Sequence, residues 1–170
     1  MEEKKEKTCC FIGHRKIEGE NELKDKLYDI VEKLIVNEHV DTFLFGSKSV
    51  FDKLCLKVVT SLKDKYPHIK RIYVRAEFQY INDDYKEYLL QSYDDTFYPE
   101  KISGSGRAAY VERNKIMIDS SGICVMYYNE NYTPQPKKAT SSQPKSGTKI
   151  AYEYARKKEK NSIAFSLLLC

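Results

Sequence analysis

Four short polar or glycine-containing segments of the chain carry residue types that bind phosphate groups. The first is Gly13-His14-Arg15, which directly follows an apolar run at residues 8–12. Glycine permits a tight turn and a close approach of a ligand to the backbone. Arg15 offers a planar fork of N–H donors that suits phosphate or carboxylate, and His14 is able to donate to a phosphate or to stack on a ring. The alternative interpretation is a polar loop with a surface arginine.

Two further segments lie where predicted helices begin. Gly46 and Ser47 precede one helix, and Ser146, Gly147 and Thr148 precede another. The first backbone N–H groups of a helix have no partner within it, and they attract anions. Each segment is therefore a candidate for contact with a phosphate. The alternatives are that Ser47 only caps its helix and that residues 146–148 are an ordinary loop exit with an N-cap.

Three more polar residues lie on predicted helices. Asp52 follows Ser47 by about one turn, so it would accept from a ribose hydroxyl, orient Arg15, or merely complement the helix dipole. Arg113 and Asn114 form the remaining segment, just upstream of the packing residues 116–118. Asparagine has a low helix propensity, so its place inside a helix favours a bonding role. An exposed helix face is the alternative for both residues.

One scaffold accounts for all of these segments, because apolar strands alternate with amphipathic helices along the chain. The predicted strands cover residues 8–12, 41–45, 69–74, 94–98, 122–128 and 162–169, and the fourth is a short edge strand. The predicted helices cover residues 20–36, 47–65, 82–91 and 148–158, and another is opened by Gly104 and Gly106 and runs to about residue 119. This alternation predicts an α/β fold, a single doubly wound Rossmann-like domain with a mainly parallel sheet flanked by helices. Ligands of such sheets bind beyond the carboxyl ends of the strands, so we expect the four segments to meet at that rim.

Composition limits the class of protein. With 170 residues, 41% of them apolar and 32% charged, the chain has the size and balance of one soluble globular domain. Residues 1–7 are predicted to be a charged tail, residues 8–170 the domain, and the polar, proline-containing residues 130–145 an exposed mobile loop. No apolar run approaches the roughly 20 residues that cross a bilayer, and the chain lacks the pattern of a signal peptide at its start. We therefore expect a cytoplasmic protein with no membrane partner.

Cysteine spacing and charge bear on metals and partners. The five cysteines form no C-x-x-C pair and the three histidines are scattered, so we expect no metal site and reduced, partly buried thiols. The net charge is +4, and the basic and acidic residues are interleaved rather than gathered into a stripe. We therefore do not expect nucleic acid as a partner. A homo-oligomer formed through the tyrosine-rich residues 80–98 remains open, and no cofactor is required.

Four stretches of the chain together resemble the SLOG superfamily, the Rossmann-like fold shared by the DprA/Smf and lonely-guy (LOG) proteins. They are TCCFIGHRKI (8–17), FLFGSKSVFD (43–52), YVERNKIMID (110–119) and SGTKIAYEYARKK (146–158), and within the superfamily they are most similar to the small YpsA-like family. The resemblance covers nearly the whole chain after residue 7. It implies a doubly wound sheet with a pocket for a nucleotide or a nucleotide-derived molecule. The residues that it carries into that pocket are Gly13, His14, Arg15, Gly46, Asp52, Arg113, Asn114, Gly147 and Thr148.

The chain departs from the family pattern at positions that bear on chemistry. Relatives usually have a second glycine where this chain has Ser47, and often a glycine where it has Val50. LOG-type phosphoribohydrolases use an arginine on the penultimate helix, which Arg113 matches, and a glutamate three residues after the Gly-Thr pair. That position is Ala151 here, and Glu153 lies about 200° further around the helix axis. The expected acid or base for hydrolysis is thus missing from its place.

Three functions are compatible with these residues and this resemblance. The favoured one is binding or sensing of a nucleotide-derived ligand, such as an NAD-like or ADP-ribose-like molecule, a nucleoside phosphate, or a cyclic signal in antiphage signalling. The alternative is an enzyme that cleaves a nucleoside N-glycosidic bond, a LOG-like phosphoribohydrolase or an NAD-cleaving enzyme, with Glu77 or Asp52 supplying the missing carboxylate. The third is single-stranded DNA binding as in DprA, with tyrosines stacking on bases.

Overall fold

The computed structural model of the chain describes residues 2–77, 79–129 and 146–158, and the backbone of residues 161–164. The helices are α1 (Glu2–Glu6), α2 (Glu20–Asn37), α3 (Val50–Lys65), α4 (Asp83–Leu90), α5 (Arg107–Asp119) and α6 (Gly147–Lys157). The strands are β1 (Thr8–Gly13), β2 (Thr42–Phe45), β3 (Lys70–Val74), β4 (Asp95–Phe97), β5 (Ile123–Tyr127) and β6 (Asn161–Ala164). The predicted alternation of strands and helices is therefore confirmed in the described part of the chain.

All six strands belong to one sheet in the order β4-β3-β2-β1-β5-β6, and every neighbouring pair is parallel. The chain moves outward from β1 to β4 and then returns to place β5 against the other side of β1. The direction of winding therefore reverses between β1 and β5. In open parallel sheets the crevice at such a reversal, beyond the carboxyl ends of the strands, is where ligands bind.

Alternate residues of each strand face opposite layers of helices, because side chains along a strand point alternately to the two sides. Cys9 and Phe11 of β1 belong to the core on the side of α2 and α3. Cys10 and Ile12 belong to the core on the side of α5 and α6. The sheet is thus covered on both faces, which confirms the predicted doubly wound architecture and explains why its strands read as continuous apolar runs.

The cysteines follow this layering. Cys9, Cys10, Cys55 and Cys124 are free and buried. Cys10 and Cys124 are register partners across β1 and β5, and their sulfur atoms lie 3.5 Å apart. Reduced, buried thiols are therefore confirmed for these four residues. The fifth cysteine lies outside the described part of the chain.

Some predicted boundaries differ from the structure. The N-cap of α3 is Ser49 and not Ser47, because the Ser49 hydroxyl accepts the Asp52 N–H and leaves Ser47 in the loop. Residues 2–6 of the predicted tail form α1, whose Lys5 carbonyl accepts the Gly122 N–H at 2.8 Å. The predicted mobile loop at residues 130–145 and residues 165–169 of the last predicted strand lie outside the described residues. None of the described helices is long and apolar enough to cross a membrane.

Candidate functional site

The ends of β1 and β5 meet through a hydrogen bond between their following loops. The Asn129 backbone N–H donates to Nε2 of His14 at 3.0 Å, and His14 is only 2% exposed. Burial lowers the pKa of His14 to about 4. The ring is therefore neutral near pH 7, and because Nε2 accepts, the proton lies on Nδ1. His14 joins two strand ends and does not supply a positive charge to a ligand.

Aromatic side chains surround His14 and connect the strand ends to α6. The His14 ring packs edge-on against Tyr127 at 6.2 Å and tilted against Tyr128 at 5.8 Å, between ring centroids. Tyr128 in turn stacks on Tyr152 of α6 with centroids 4.5 Å apart. This packing fixes the position of α6 beside the reversal point of the sheet.

The loop after β1 is also tied to the start of α3. The Val50 N–H donates to the Arg15 carbonyl at 3.3 Å, and a Cβ added to Gly13 would lie 2.2 Å from Cδ1 of Phe51. Gly13 is therefore required for a close approach to a side chain of the protein itself. The Arg15 side chain is exposed at this rim. Val50 is partly exposed and contributes its backbone to the same junction.

The end of β2 is held by Asp52. Oδ2 of this carboxylate accepts the Gly46 N–H at 3.3 Å and the Ser47 N–H at 2.9 Å. The Ser47 hydroxyl is bonded to Ser49 at 2.9 Å. The backbone amides that sequence reasoning offers to a phosphate thus already have an anionic partner within the protein.

Arg113 reaches the same turn from the other face of the sheet. Its Nη1 donates to the Gly46 carbonyl and its Nε donates to Oδ1 of Asn114 at 3.2 Å. A Cβ on Gly46 would lie 2.7 Å from both Nε of Arg113 and Sδ of Met117, so only glycine fits there without a shift of these side chains. Asn114 therefore has the predicted bonding role, and its partner is Arg113.

Burial dominates the electrostatics of this pair. Asp52 is 2% exposed and Arg113 is 3% exposed. Desolvation raises the pKa of Asp52 to about 6, against the effects of its two amide donors and of Arg113. Desolvation also lowers the pKa of Arg113, against the attraction of Tyr73, Asp52 and Glu77. The two opposite charges stabilise each other through the turn that lies between them.

Glu77 is joined to this cluster by a tyrosine that sequence reasoning missed. The Tyr110 hydroxyl donates to the Glu77 carboxylate, and the Arg113 guanidinium carbon lies 5.3 Å from the centroid of the Tyr110 ring. Tyr110 precedes Arg113 by three residues on α5, and residues at this spacing share one face of a helix. That spacing is the signal in the sequence that would have identified Tyr110.

The start of α6 is the fourth segment, and its first residues are half-buried to buried. Ser146 caps the helix by accepting the Lys149 N–H at 3.0 Å. A Cβ on Gly147 would meet no atom within 4 Å, whereas Thr148 is 7% exposed. Ala151 is buried in the core beside α5, so its side chain packs against apolar neighbours. Ser146 therefore caps the helix, which is the alternative interpretation of this segment, and contact of residues 146–148 with a phosphate stays a prediction. Among the described residues, no atom fills the space beside Gly147.

The structure brings the predicted site residues together to different degrees. Hydrogen bonds join the loop after β1 to α3, and the loop after β2 to both α3 and α5. The start of α6 adjoins this region through the stack of Tyr128 on Tyr152. A separate shallow groove at the opposite edge of the sheet is lined by Lys7, Ile35, His39, Asp41 and His68. Among the described residues, no group of three or more histidine, cysteine or acidic side chains is placed to hold a metal ion.

A parallel sheet covered on both faces, with polar loops gathered at one reversal point, defines a Rossmann-like α/β protein. Residues 12–160 match the model of the YspA SLOG family, and the chain belongs to this family. It is also similar to the uncharacterised SPbeta prophage-derived protein YoqJ of Bacillus subtilis strain 168. The two are 30% identical over 151 residues, which cover 79% of this chain and 81% of YoqJ.

Two solved structures of DNA processing protein A (DprA) share the fold. The Streptococcus pneumoniae protein has a TM-score of 0.57 and 12% identity, and the match covers 92% of this chain and 49% of that one. The Helicobacter pylori protein, which was studied for its single-stranded DNA binding mode, has a TM-score of 0.59 and 14% identity, with coverage of 92% and 64%. The chain thus spans about half to just under two thirds of these DprA chains.

Proposed function

We propose that this protein binds a nucleotide-derived ligand, such as an NAD-like or ADP-ribose-like molecule or a nucleoside phosphate, where β1 and β5 meet at the carboxyl edge of the sheet. The observation that supports the proposal is that polar groups at the end of β2 are bonded within the protein, whereas those after β1 and at the start of α6 are more accessible. Asp52 and Arg113 bind the backbone groups of Gly46 and Ser47 in the turn after β2, whereas Arg15 is exposed and no atom of the described residues would lie within 4 Å of a Cβ on Gly147. An arginine side chain and the start of a helix are both groups that bind phosphate, and both lie at this edge of the sheet.

The aromatic residues support the same position for the ligand. Tyr128 and Tyr152 stack on each other beside the reversal point, and Tyr152 belongs to the helix that Gly147 begins. Aromatic faces bind the flat rings of nucleotide bases. A ligand that carries both a phosphate and a base therefore matches this edge better than inorganic phosphate alone does.

A thermal-shift titration with ADP-ribose, NAD and AMP tests the proposal. A ligand present at about 100 times its Kd should raise the melting temperature of the wild type by about 5 °C or more. Arg15→Ala removes the exposed donor and should abolish the rise, and Arg113→Ala should do so by releasing the turn after β2. Lys16→Ala is the matched control, because Lys16 is an exposed cation in the same loop. A response of both arginine variants equal to that of the wild type would refute the proposal.

Single-stranded DNA is the second candidate, and it is favoured by the likeness to the Helicobacter pylori protein. Because of this likeness, the expectation that nucleic acid is not a partner has no support from the related structures. Two tyrosines near α4 are well exposed, Tyr80 at 86% and Tyr88 at 61%, and exposed rings are able to stack on bases. Anisotropy with a labelled oligonucleotide should then show an affinity that falls steeply with salt. The affinity should also fall in Tyr80→Ala, and the absence of salt-dependent binding would dismiss this candidate.

A further inference from the structure

We propose that the Asp52 carboxylate acts as an internal anion that occupies the amide nest formed by Gly46 and Ser47. It thereby excludes the phosphate part of a ligand from the end of β2 and directs it towards Arg15 and the start of α6. Asp52 is thus a specificity-determining residue that does not itself touch the phosphate. This inference deepens the proposed function and rests on it for its biological meaning.

The turn after β2 offers two backbone N–H groups to a single anion. Consecutive backbone N–H groups that point into one concavity form a site for an anion. Gly46 and Ser47 direct their N–H groups at the same oxygen, Oδ2 of Asp52, at 3.3 and 2.9 Å. A phosphate oxygen would need these same donors at the same distances. The carboxylate and a phosphate are therefore mutually exclusive in this nest.

Arg113 places a positive charge beside the same turn. Its guanidinium donates to the carbonyl of Gly46, whose N–H is bonded to Asp52. One peptide turn is thus held by an anion from α3 and by a cation from α5, on opposite faces of the sheet. Removing the carboxylate would leave two amides and a buried guanidinium without their counter-charge, which is the composition of an oxyanion site.

The second carboxylate oxygen of Asp52, Oδ1, makes no contribution to the nest. Oδ1 is buried and has no hydrogen-bond partner among the described residues. A buried carboxylate usually satisfies both oxygens, so this group is held with an uncompensated acceptor. The bonds of Oδ2 to the two amides of the nest explain why a carboxylate is kept at this buried position.

Protonation offers a way to weaken the internal anion without a mutation. The charged and titratable groups that face Asp52 are Arg113 from α5, Tyr73 from β3, Tyr93 from the loop before β4, and Cys55 on α3 itself. Burial raises the pKa of Tyr73 to about 12, and it also raises the pKa values of Tyr93 and Cys55. These three groups are therefore neutral between pH 4 and pH 7. Asp52, with a pKa of about 6, is the group in this set that titrates in that range.

Amide spectra of isotope-labelled protein during titration with inorganic phosphate test the inference. At neutral pH the Gly46 and Ser47 amide signals of the wild type should not respond. In Asp52→Ala the same two signals should shift with added phosphate and reach saturation, which yields a Kd for phosphate at these amides. Asp52→Asn should respond in the same direction. The matched control is Asp29→Asn, which removes an exposed carboxylate from α2 and should behave as the wild type does.

The wild type at about pH 5 keeps the test decisive if a variant fails to fold, because Asp52 is then mostly protonated while phosphate is still an anion. The Gly46 and Ser47 signals should begin to respond to phosphate as the pH falls. The inference is overturned if these signals respond in the wild type at neutral pH as strongly as in Asp52→Ala. It is equally overturned if they stay silent both in the folded variants and in the wild type at about pH 5. Failure of the proposed function gives a different result, namely the absence of any nucleotide-induced rise in melting temperature of the wild type.

Discussion

The ring of Phe51 lies directly against the backbone of Gly13, so that a Cβ on Gly13 would fall 2.2 Å from Cδ1 of the ring. Phe51 is fully buried, and its ring packs against Tyr127 with centroids 5.8 Å apart. We therefore predict that Gly13→Ala lowers the free energy of unfolding by about 1–3 kcal/mol, the usual range for overpacking. Urea denaturation followed by circular dichroism measures this change.

Gly147→Ala provides the matched control for that measurement. A Cβ on Gly147 would meet no atom within 4 Å, and alanine is favourable at a helix start compared with glycine. Its free energy of unfolding should equal or slightly exceed that of the wild type. Equal stability of the Gly13→Ala variant and the wild type would show that the turn after β1 relaxes away from Phe51.

Acidification should destabilise the protein through His14. Its pKa is lowered from 6.5 to about 4 in the folded state, so the unfolded chain takes up the proton first as the pH falls. The contribution of the neutral ring is present above about pH 6.5 and is lost towards pH 4, and it amounts to about 3 kcal/mol. In urea denaturation measured across the range, the difference in free energy of unfolding between His14→Gln and the wild type should change by about this amount. His68→Gln, which changes an exposed ring, is the control and should keep the pH profile of the wild type.

Asp52 should produce a pH dependence of the opposite sign. Its pKa is raised from 3.8 to about 6, so the folded state holds the proton more tightly. Its contribution is complete below about pH 3.8 and is lost as the pH rises to about 6, again by about 3 kcal/mol. The two slopes largely cancel in the wild type between about pH 4 and 6. Asp52→Asn should therefore reveal a steep loss of stability on acidification, and His14→Gln a gain; two flat profiles would contradict both assignments.

Much of the fold is predictable from local patterns, because the strands are short apolar runs and the longer helices carry an apolar stripe along one face. The layering of Cys9 and Cys10 on opposite faces follows directly from strand geometry. The end of α3 near Pro67 and its amphipathic face also follow from the sequence. The capping residue does not, since Ser47 and Ser49 are both suitable and only the path of the loop after β2 selects Ser49.

The candidate site was less predictable, because its chemistry depends on which partners reach each polar group. His14 and Arg113 are both basic by type, yet His14 accepts from Asn129 and is neutral, while Arg113 donates within the protein. Asp52 takes the amides that the sequence offers to a phosphate. These contacts join residues from distant parts of the chain, so no local pattern encodes them.

The buried thiols should be unreactive in the native protein. Burial raises the pKa of Cys9 and Cys55, and the hydrogen bond with Cys124 together with burial raises that of Cys10. Because the thiolate is the reactive form, Ellman's reagent should modify these residues only after unfolding. A Cys170→Ser background removes the thiol that lies outside the described residues. In that background the native protein should release almost no chromophore, whereas the denatured protein should release four equivalents. Rapid native labelling would show that the core opens between β1 and β5.

Binding without turnover is the expected behaviour towards NAD and nucleoside monophosphates. Hydrolysis of an N-glycosidic bond requires an acid or base that reaches the leaving group or the attacking water. Ala151 supplies no such group, the Glu77 carboxylate accepts from Tyr110, and Asp52 is buried against the turn after β2. Chromatography after prolonged incubation should therefore recover these compounds intact. Release of nicotinamide or free base above the uncatalysed rate, lost in Glu77→Gln but retained in Glu100→Gln, would instead establish the enzyme and make Glu77 its carboxylate.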